Sequence, residues 1–225
     1  MTLVLALDTS SLVYAVAVGS TQRPAAQRSG RQKDPGFAGL GDLAAQALSA
    51  AGAAFSDLTA IGVDVGPGGL SSIRAAVAYA NGLAFSLGVK VFPAGSLELM
   101  AIAARRAGQD AGAVLSLKRG QAGNVYAGLY VNGENTALRH GQPGEVIPAV
   151  AAGLDRVCLA GMLPRDEVAP FLPRTAIAES GITDADVTVL YTETLSAAVD
   201  RPQRLMRAVS PLNEASQAFC DSAAR

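Results

Sequence analysis

An apolar run, a short polar apex and a second apolar run occur twice in this chain, and a repeated unit of that kind constrains the fold more than any single motif does. Residues 3–7 and 13–18 flank Asp8-Thr9-Ser10-Ser11, and residues 113–117 and 125–131 flank the stretch 118–124. Even Val13-Tyr14-Ala15 recurs as Val125-Tyr126-Ala127. Short continuous apolar runs bounded by turn residues read as buried strands, so each copy reads as a hairpin. The apices differ in sign: the first carries Asp8, the second Lys118 and Arg119.

Residues 21–36 are polar and hold Pro24 and Pro35, which leaves room only for a short edge strand. Phe37, Leu40, Ala44, Ala47 and Ala51 then follow helical spacing over 37–51, with Gly52 placed to end the helix. A strand over 60–65, with Asp64 its one charge, leads through Gly66-Pro67-Gly68-Gly69 into a helix over 70–87. Such a junction gathers backbone N–H groups and a positive helix end, and reads either as an anion cradle or as plain turn chemistry. Along that helix Leu70, Ile73, Val77, Ala80, Ala84 and Leu87 form one face, flanked by the small residues Ala75, Ala78 and Gly82. Gly88 closes it; a strand over 89–93 and a helix over 96–106 follow. Beyond the second hairpin the pattern predicts a helix over 145–154, strands over 156–160 and 187–191, and a helix over 193–209 broken at Arg201-Pro202. The tail after Asn213 is expected to fray. The natural division is an N-terminal lobe, 1–95, and a C-terminal lobe, 96–225.

Half of the 225 residues are hydrophobic, but only 5% are aromatic and none is Trp, so helices should pack through small side chains. With 18 basic and 19 acidic residues the net charge is −1, which gives no overall field to hold a polyanion; RNA, if bound, should be held mainly by another chain. A single histidine, His140, excludes any site that needs two, and its polar surroundings read as an exposed loop. Cys158 and Cys220 read as buried small hydrophobes. Ser10 and Ser71 have no histidine nearby in sequence, so a hydrolase triad has no support. No basic leader precedes the first apolar run and no charge-free run approaches the roughly 20 residues of a membrane span, so the expected location is cytoplasmic.

The opening Leu5-Ala6-Leu7-Asp8-Thr9-Ser10, the Gly66-Pro67-Gly68 loop with Arg74 behind it, and Ala80-Asn81-Gly82-Leu83-Ala84 resemble, in order and spacing, the signatures of the bacterial TsaB (YeaZ) family. Gly69-Leu70-Ser71-Ser72 departs from that family's usual Ser-Phe-Thr-Gly, and Leu117-Lys118-Arg119 stands where it has Asp-Ala-Arg. The resemblance implies an α/β, duplicated ribonuclease-H-like fold in two lobes, as in actin, Hsp70 and sugar kinases. It also implies a non-catalytic accessory subunit of the tRNA threonylcarbamoyladenosine pathway that pairs with a catalytic paralogue, TsaD. An ATPase subunit, TsaE, assists, and tRNA is met only through the complex. The docking surface expected in that role uses Leu40, Ala44, Ala47, Leu70, Ile73, Ala75, Val77 and Ala78 and could also pair two copies of the isolated chain; the spacing is equally consistent with both faces of the 70–87 helix being buried within this chain. The anion or nucleotide site it implies comprises Asp8, Thr9, Ser10, Gly66, Gly68 and Arg74, with at most weak ATP or ADP and magnesium. TsaD holds its metal through paired histidines; this chain, with His140 alone, implies no such metal and no catalytic residue. The alternative is an autonomous ATPase or phosphotransferase using Asp8 with metal-bound nucleotide. Without a second carboxylate opposite it, Asp8 reads rather as a hairpin acid accepting backbone amides. Arg74 reads as an anion holder or as a surface ion pair.

Overall fold

The computed structural model describes residues 2–109 and 112–200. The chain forms two compact units, one running to Ala94 and resumed at Asp186, the other spanning Gly95–Ala185.

The first unit begins with β1 (Val4–Asp8), β2 (Val13–Gly19) and β3 (Ala26–Arg31), followed by α1 (Leu40–Ala50), β4 (Ala60–Asp64), α2 (Leu70–Leu87) and β5 (Lys90–Ala94). Its five strands lie in the order β3-β2-β1-β4-β5. The β1–β2 and β2–β3 pairs are antiparallel, and the β1–β4 and β4–β5 pairs are parallel. β1 and β4 are buried along their whole length, as continuous apolar runs require when both faces of a sheet are covered. α1 packs on β2 and β3, and α2 on β4, β1 and β5.

The second unit contains α3 (Ser96–Arg106), β6 (Ala113–Arg119), β7 (Val125–Val131), β8 (Glu134–Gly141), α4 (Pro143–Val150), β9 (Arg156–Gly161), the single turn α5 (Arg165–Val168) and β10 (Ala176–Glu179). Its strand order, β10-β9-β6-β7-β8, repeats that of the first sheet, with the same alternation of antiparallel and parallel pairs. The internal echo in sequence is therefore a duplication of topology. Strand alternation divides the core: Leu115, Leu117, Val125, Ala127 and Leu159 join α4 on one face, while Val114, Tyr126, Cys158 and Ala160 meet α3 on the other.

The helix α6 (Val187–Asp200) completes the picture, because it packs on β1, β4 and β2 of the first unit. α3, which follows the first set of strands, packs on β6, β9 and β7. Each repeat thus supplies a helix to the equivalent strands of the other. The two units divide between Ala94 and Gly95, and Asp186 onward belongs with the N-terminal unit, whereas the sequence reading assigns it to the 96–225 lobe. Close packing at Gly62 fixes α6: a Cβ there would overlap Thr194 Oγ1 and stand 3.1 Å from the Thr194 Cβ. The Tyr191 hydroxyl donates to the Thr21 carbonyl at 2.6 Å, and burial raises its pKa above the usual phenol value, an effect partly offset by that bond.

Several sequence expectations are corrected. Residues 187–191 form the first turns of α6, not a strand. Their β-branched run reads as extended locally, but Val187, Leu190, Tyr191, Thr194 and Leu195 bury one helical face against the sheet. The helix expected over 193–209 is the continuation of α6; Arg201-Pro202, Cys220 and the tail lie outside the described residues. α1 starts at Leu40 rather than Phe37, because Gly39 at φ 112° sets the helix entry, and the Phe37 ring instead packs edge-on against Tyr14 at 5.4 Å. The helix expected over 145–154 runs from Pro143 to Val150. The polar stretch around His140 is the edge strand β8, and the imidazole stacks on Tyr126 at 4.5 Å instead of lying in a loop. The basic apex is shorter than expected: Lys118 and Arg119 end β6, and the turn itself is Gly120–Asn124. Cys158 is buried as expected.

Candidate functional site

β1 and β4 run parallel in register from Val4 beside Ala60 to Leu7 beside Val63, so their terminal residues, Asp8 and Asp64, come side by side. Both are buried, Asp64 completely. Each carboxylate accepts from the backbone two residues on, Asp8 Oδ1 from the Ser10 N–H at 2.8 Å and Asp64 Oδ1 from the Gly66 N–H at 2.7 Å. The two acids therefore set matching turns at the ends of neighbouring strands. Asp64 is a second carboxylate beside Asp8 on the neighbouring strand, not one opposite it. Its signal was present in the sequence as the single charge of an otherwise apolar strand.

The glycine loop lies directly against the first hairpin. Gly66 has φ 96°, a left-handed conformation that glycine adopts without strain, and the Gly66–Pro67 bond is cis. A Cβ on Gly68 would overlap the Ser10 carbonyl oxygen and stand 2.9 Å from the Ser10 Cα. The Thr9 hydroxyl donates to the Ser72 carbonyl at 2.9 Å, and the Tyr14 hydroxyl donates to Ser72 Oγ at 2.8 Å while accepting from Gln32 Nε2. Asp8, Thr9, Ser10, Gly66 and Gly68 are thus brought together, with Asp64, Tyr14 and Ser72 added. Arg74 is not among them: it lies exposed in the second turn of α2, on the side that also presents Ala75, Ala78, Gly82 and Phe85.

The eight residues of the expected docking surface separate by burial. Leu40, Ala44, Ala47, Ile73 and Val77 are core residues of the first unit, with no surface to offer. Leu70 is half-buried, and Ala75 and Ala78 are exposed. The apolar stripe of α2 thus faces its own sheet, while the small-residue flank faces outward. Phe85, 80% exposed, extends that flank by an apolar ring.

At the second hairpin the equivalent strand end carries a base. Lys118 is 1% exposed, and its ammonium lies 2.9 Å from Asp184 Oδ1. Arg119 points the other way and forks onto Glu167 at 2.7 and 2.8 Å. Among the described residues no cluster of three or more metal-ligating side chains occurs, and no helix is long and apolar enough to cross a membrane.

Two repeats of a three-stranded meander extended by two parallel strands, the first with acids at the ends of β1 and β4 and a glycine loop against them, define the ribonuclease-H-like fold that actin, Hsp70 and sugar kinases share. Component A of the (R)-2-hydroxyglutaryl-CoA dehydratase from Acidaminococcus fermentans shares that fold, with a TM-score of 0.52 at 11% identity over 89% of this chain and 100% of its own. The model of the family described as TsaD, tRNA N6-adenosine threonylcarbamoyltransferase, matches residues 38–163, and the chain belongs to that family. Within it the similarity is to TsaB-type proteins. A Pseudomonas aeruginosa protein described as similar to peptidase YeaZ superposes with a TM-score of 0.71 at 25% identity, covering 95% of this chain and 99% of its own. YeaZ from Pseudomonas aeruginosa superposes with a TM-score of 0.66 at 25% identity, covering 88% and 93%. No curated protein matches by sequence.

Proposed function

We propose that this chain is a non-catalytic subunit of the tRNA N6-threonylcarbamoyladenosine machinery, pairing with a TsaD-type catalytic paralogue, assisted by the ATPase TsaE and meeting tRNA only within that assembly. Family membership and the YeaZ-like fold support the pathway. The single observation that carries the accessory role is Lys118. A buried ammonium stands one residue from the end of β6, the strand of the second repeat that is equivalent to the one Asp8 ends in the first. A positive charge there disfavours a bound metal ion, which phosphoryl transfer on this fold would require acids to hold. One histidine in the entire chain excludes a paired-histidine metal site.

The docking surface in this reading is the outward flank of α2, Ala75, Ala78, Gly82 and Phe85, with Leu70 at its edge. Small residues let a second helix approach closely, and a carboxylate placed there would be desolvated without a counterpart. Ala75→Glu and Ala78→Glu, each first checked for folding by circular dichroism, are expected to weaken association with the paralogue by about 2 kcal/mol, roughly thirtyfold. The same substitutions should abolish any homodimer of the isolated chain. Unchanged affinity in both variants, measured by sedimentation and titration calorimetry, would remove α2 from the interface.

Asp64 beside Asp8 favours a second reading, an ATPase or phosphotransferase that holds a metal-bound nucleotide at the paired acids. Both carboxylates already accept loop amides, which leaves each fewer lone pairs for a cation. The purified chain with magnesium and ATP is therefore expected to show no sustained turnover. Multiple turnovers that disappear in Asp8→Ala would replace the accessory reading with the enzymatic one.

A further inference from the structure

The β6–β7 turn of the second unit borders an open cleft of about 460 Å³ whose lining includes Arg119, Glu167, Val125, Pro143, Leu163 and Phe171. We propose that this cleft binds a free α-amino acid with a bulky apolar side chain, carboxylate to Arg119 and ammonium to Glu167. The proposal is independent of the accessory role.

The floor is apolar. Val125 and Leu163 are almost fully buried at its base, and the half-buried Phe171 ring and Pro143 form its sides. The turn that makes the rim is held by hydrogen bonds of its own and by Gln142. The Gly120 N–H donates to the Asn124 carbonyl at 2.8 Å, the Asn124 N–H donates to the Gln121 carbonyl at 3.0 Å, and the Asn124 side-chain oxygen accepts from Gln142 Nε2 at 2.5 Å. Ala122 and Gly123, successive left-handed residues at φ 53° and 75°, bend the turn tightly enough to leave the cleft open beside it. The charged groups of the lining are a guanidinium and a carboxylate bound to each other, with side chains 53% and 44% exposed.

That pair selects the ligand by charge. An anion approaching Arg119 meets Glu167, a cation approaching Glu167 meets Arg119, and either would leave one charge deprived of its partner. A zwitterion instead replaces the one exposed ion pair, which costs little to open, with two ion pairs of the same kind. The spacing fits, because the two charged groups of an α-amino acid are separated by a single carbon and the opened bridge offers its two charges side by side. The volume lies in the range of small-molecule sites and exceeds what the charged ends of the ligand need, so the remainder is filled by a side chain against Phe171 and Val125.

The test is an amide-resolved NMR titration of the full chain with L-leucine and L-phenylalanine, beside phenethylamine and 3-phenylpropionate, which each lack one charge. Saturable shifts at Gly120, Gly123 and Phe171 are expected with the amino acids, and roughly tenfold weaker binding with either analogue. Arg119→Gln and Glu167→Gln should each lower amino-acid affinity by a similar factor without moving the thermal midpoint, since both side chains are about half exposed. The proposal is overturned by the absence of saturable shifts at about 10 mM amino acid, by analogues that bind as well as the zwitterions, or by variants that bind unchanged.

Discussion

Asp184→Ala will destabilise the second unit by about 3 kcal/mol, whereas Lys118→Met will cost less than half as much. The two residues form one ion pair, yet their environments are unequal: Lys118 is 1% exposed and Asp184 25%. Removing the acid takes from the buried ammonium the carboxylate that helps to offset its loss of water. Removing the base leaves the carboxylate partly in solvent and fills the interior with an apolar chain of similar length, next to Tyr126 across the β6–β7 ladder. Urea unfolding of the two variants and the double variant checks the asymmetry. Equal losses in the two single variants would mean that the pair is no more than a solvated contact.

Gly68→Ala is expected to cost about 3 kcal/mol, lowering the thermal midpoint by roughly 6–12 °C for a chain of this size. The added methyl meets the backbone of Ser10, and a carbonyl in a hydrogen-bonded hairpin cannot rotate away as a side chain can. Gly69→Ala serves as the control, because its Cβ would meet only Ser72 Oγ at 3.7 Å and Ser72 Cβ at 3.9 Å. A midpoint for Gly68→Ala within a degree or two of the control would show that the loop does not bear on the hairpin.

What was legible in the sequence follows the range of the forces involved. α2 has the limits read from the sequence, Leu70–Leu87, because a glycine loop starts it and Gly88, at φ 70°, stops it through purely local conformational preference. The paired hairpins were readable because strands covered on both faces become continuous apolar runs. β8 was not, since an edge strand with one side in solvent can be polar, and Glu134–Gly141 is held by pairing with β7 rather than by its own composition. Residues 187–191 misled for the same reason in reverse: β-branched residues favour extension, and only the sheet on which they pack makes them helical. At the site, Asp8 and the glycine loop stood out as local motifs. The pairing of Asp8 with Asp64 depends on the register of two strands far apart in sequence, which no local pattern encodes. The burial that removes Leu40, Ala44, Ala47, Ile73 and Val77 from any docking surface is likewise a tertiary fact, since helical spacing shows that a face is apolar without showing what covers it.

The exchange of α3 and α6 between the repeats sets an order on synthesis. As the chain leaves the ribosome, β1 through β5 emerge with α1 and α2, but the helix that covers β1 and β4 is still unmade. The whole of Gly95–Ala185 must be translated before it appears. The contact that closes this unit, Tyr191 to Thr21, joins residues 170 apart in sequence. The unit made first is therefore finished last, and in the interval its sheet exposes apolar surface of the kind that nascent-chain chaperones recognise. The second unit has no such wait, because α3 precedes its strands and is ready when β6 arrives.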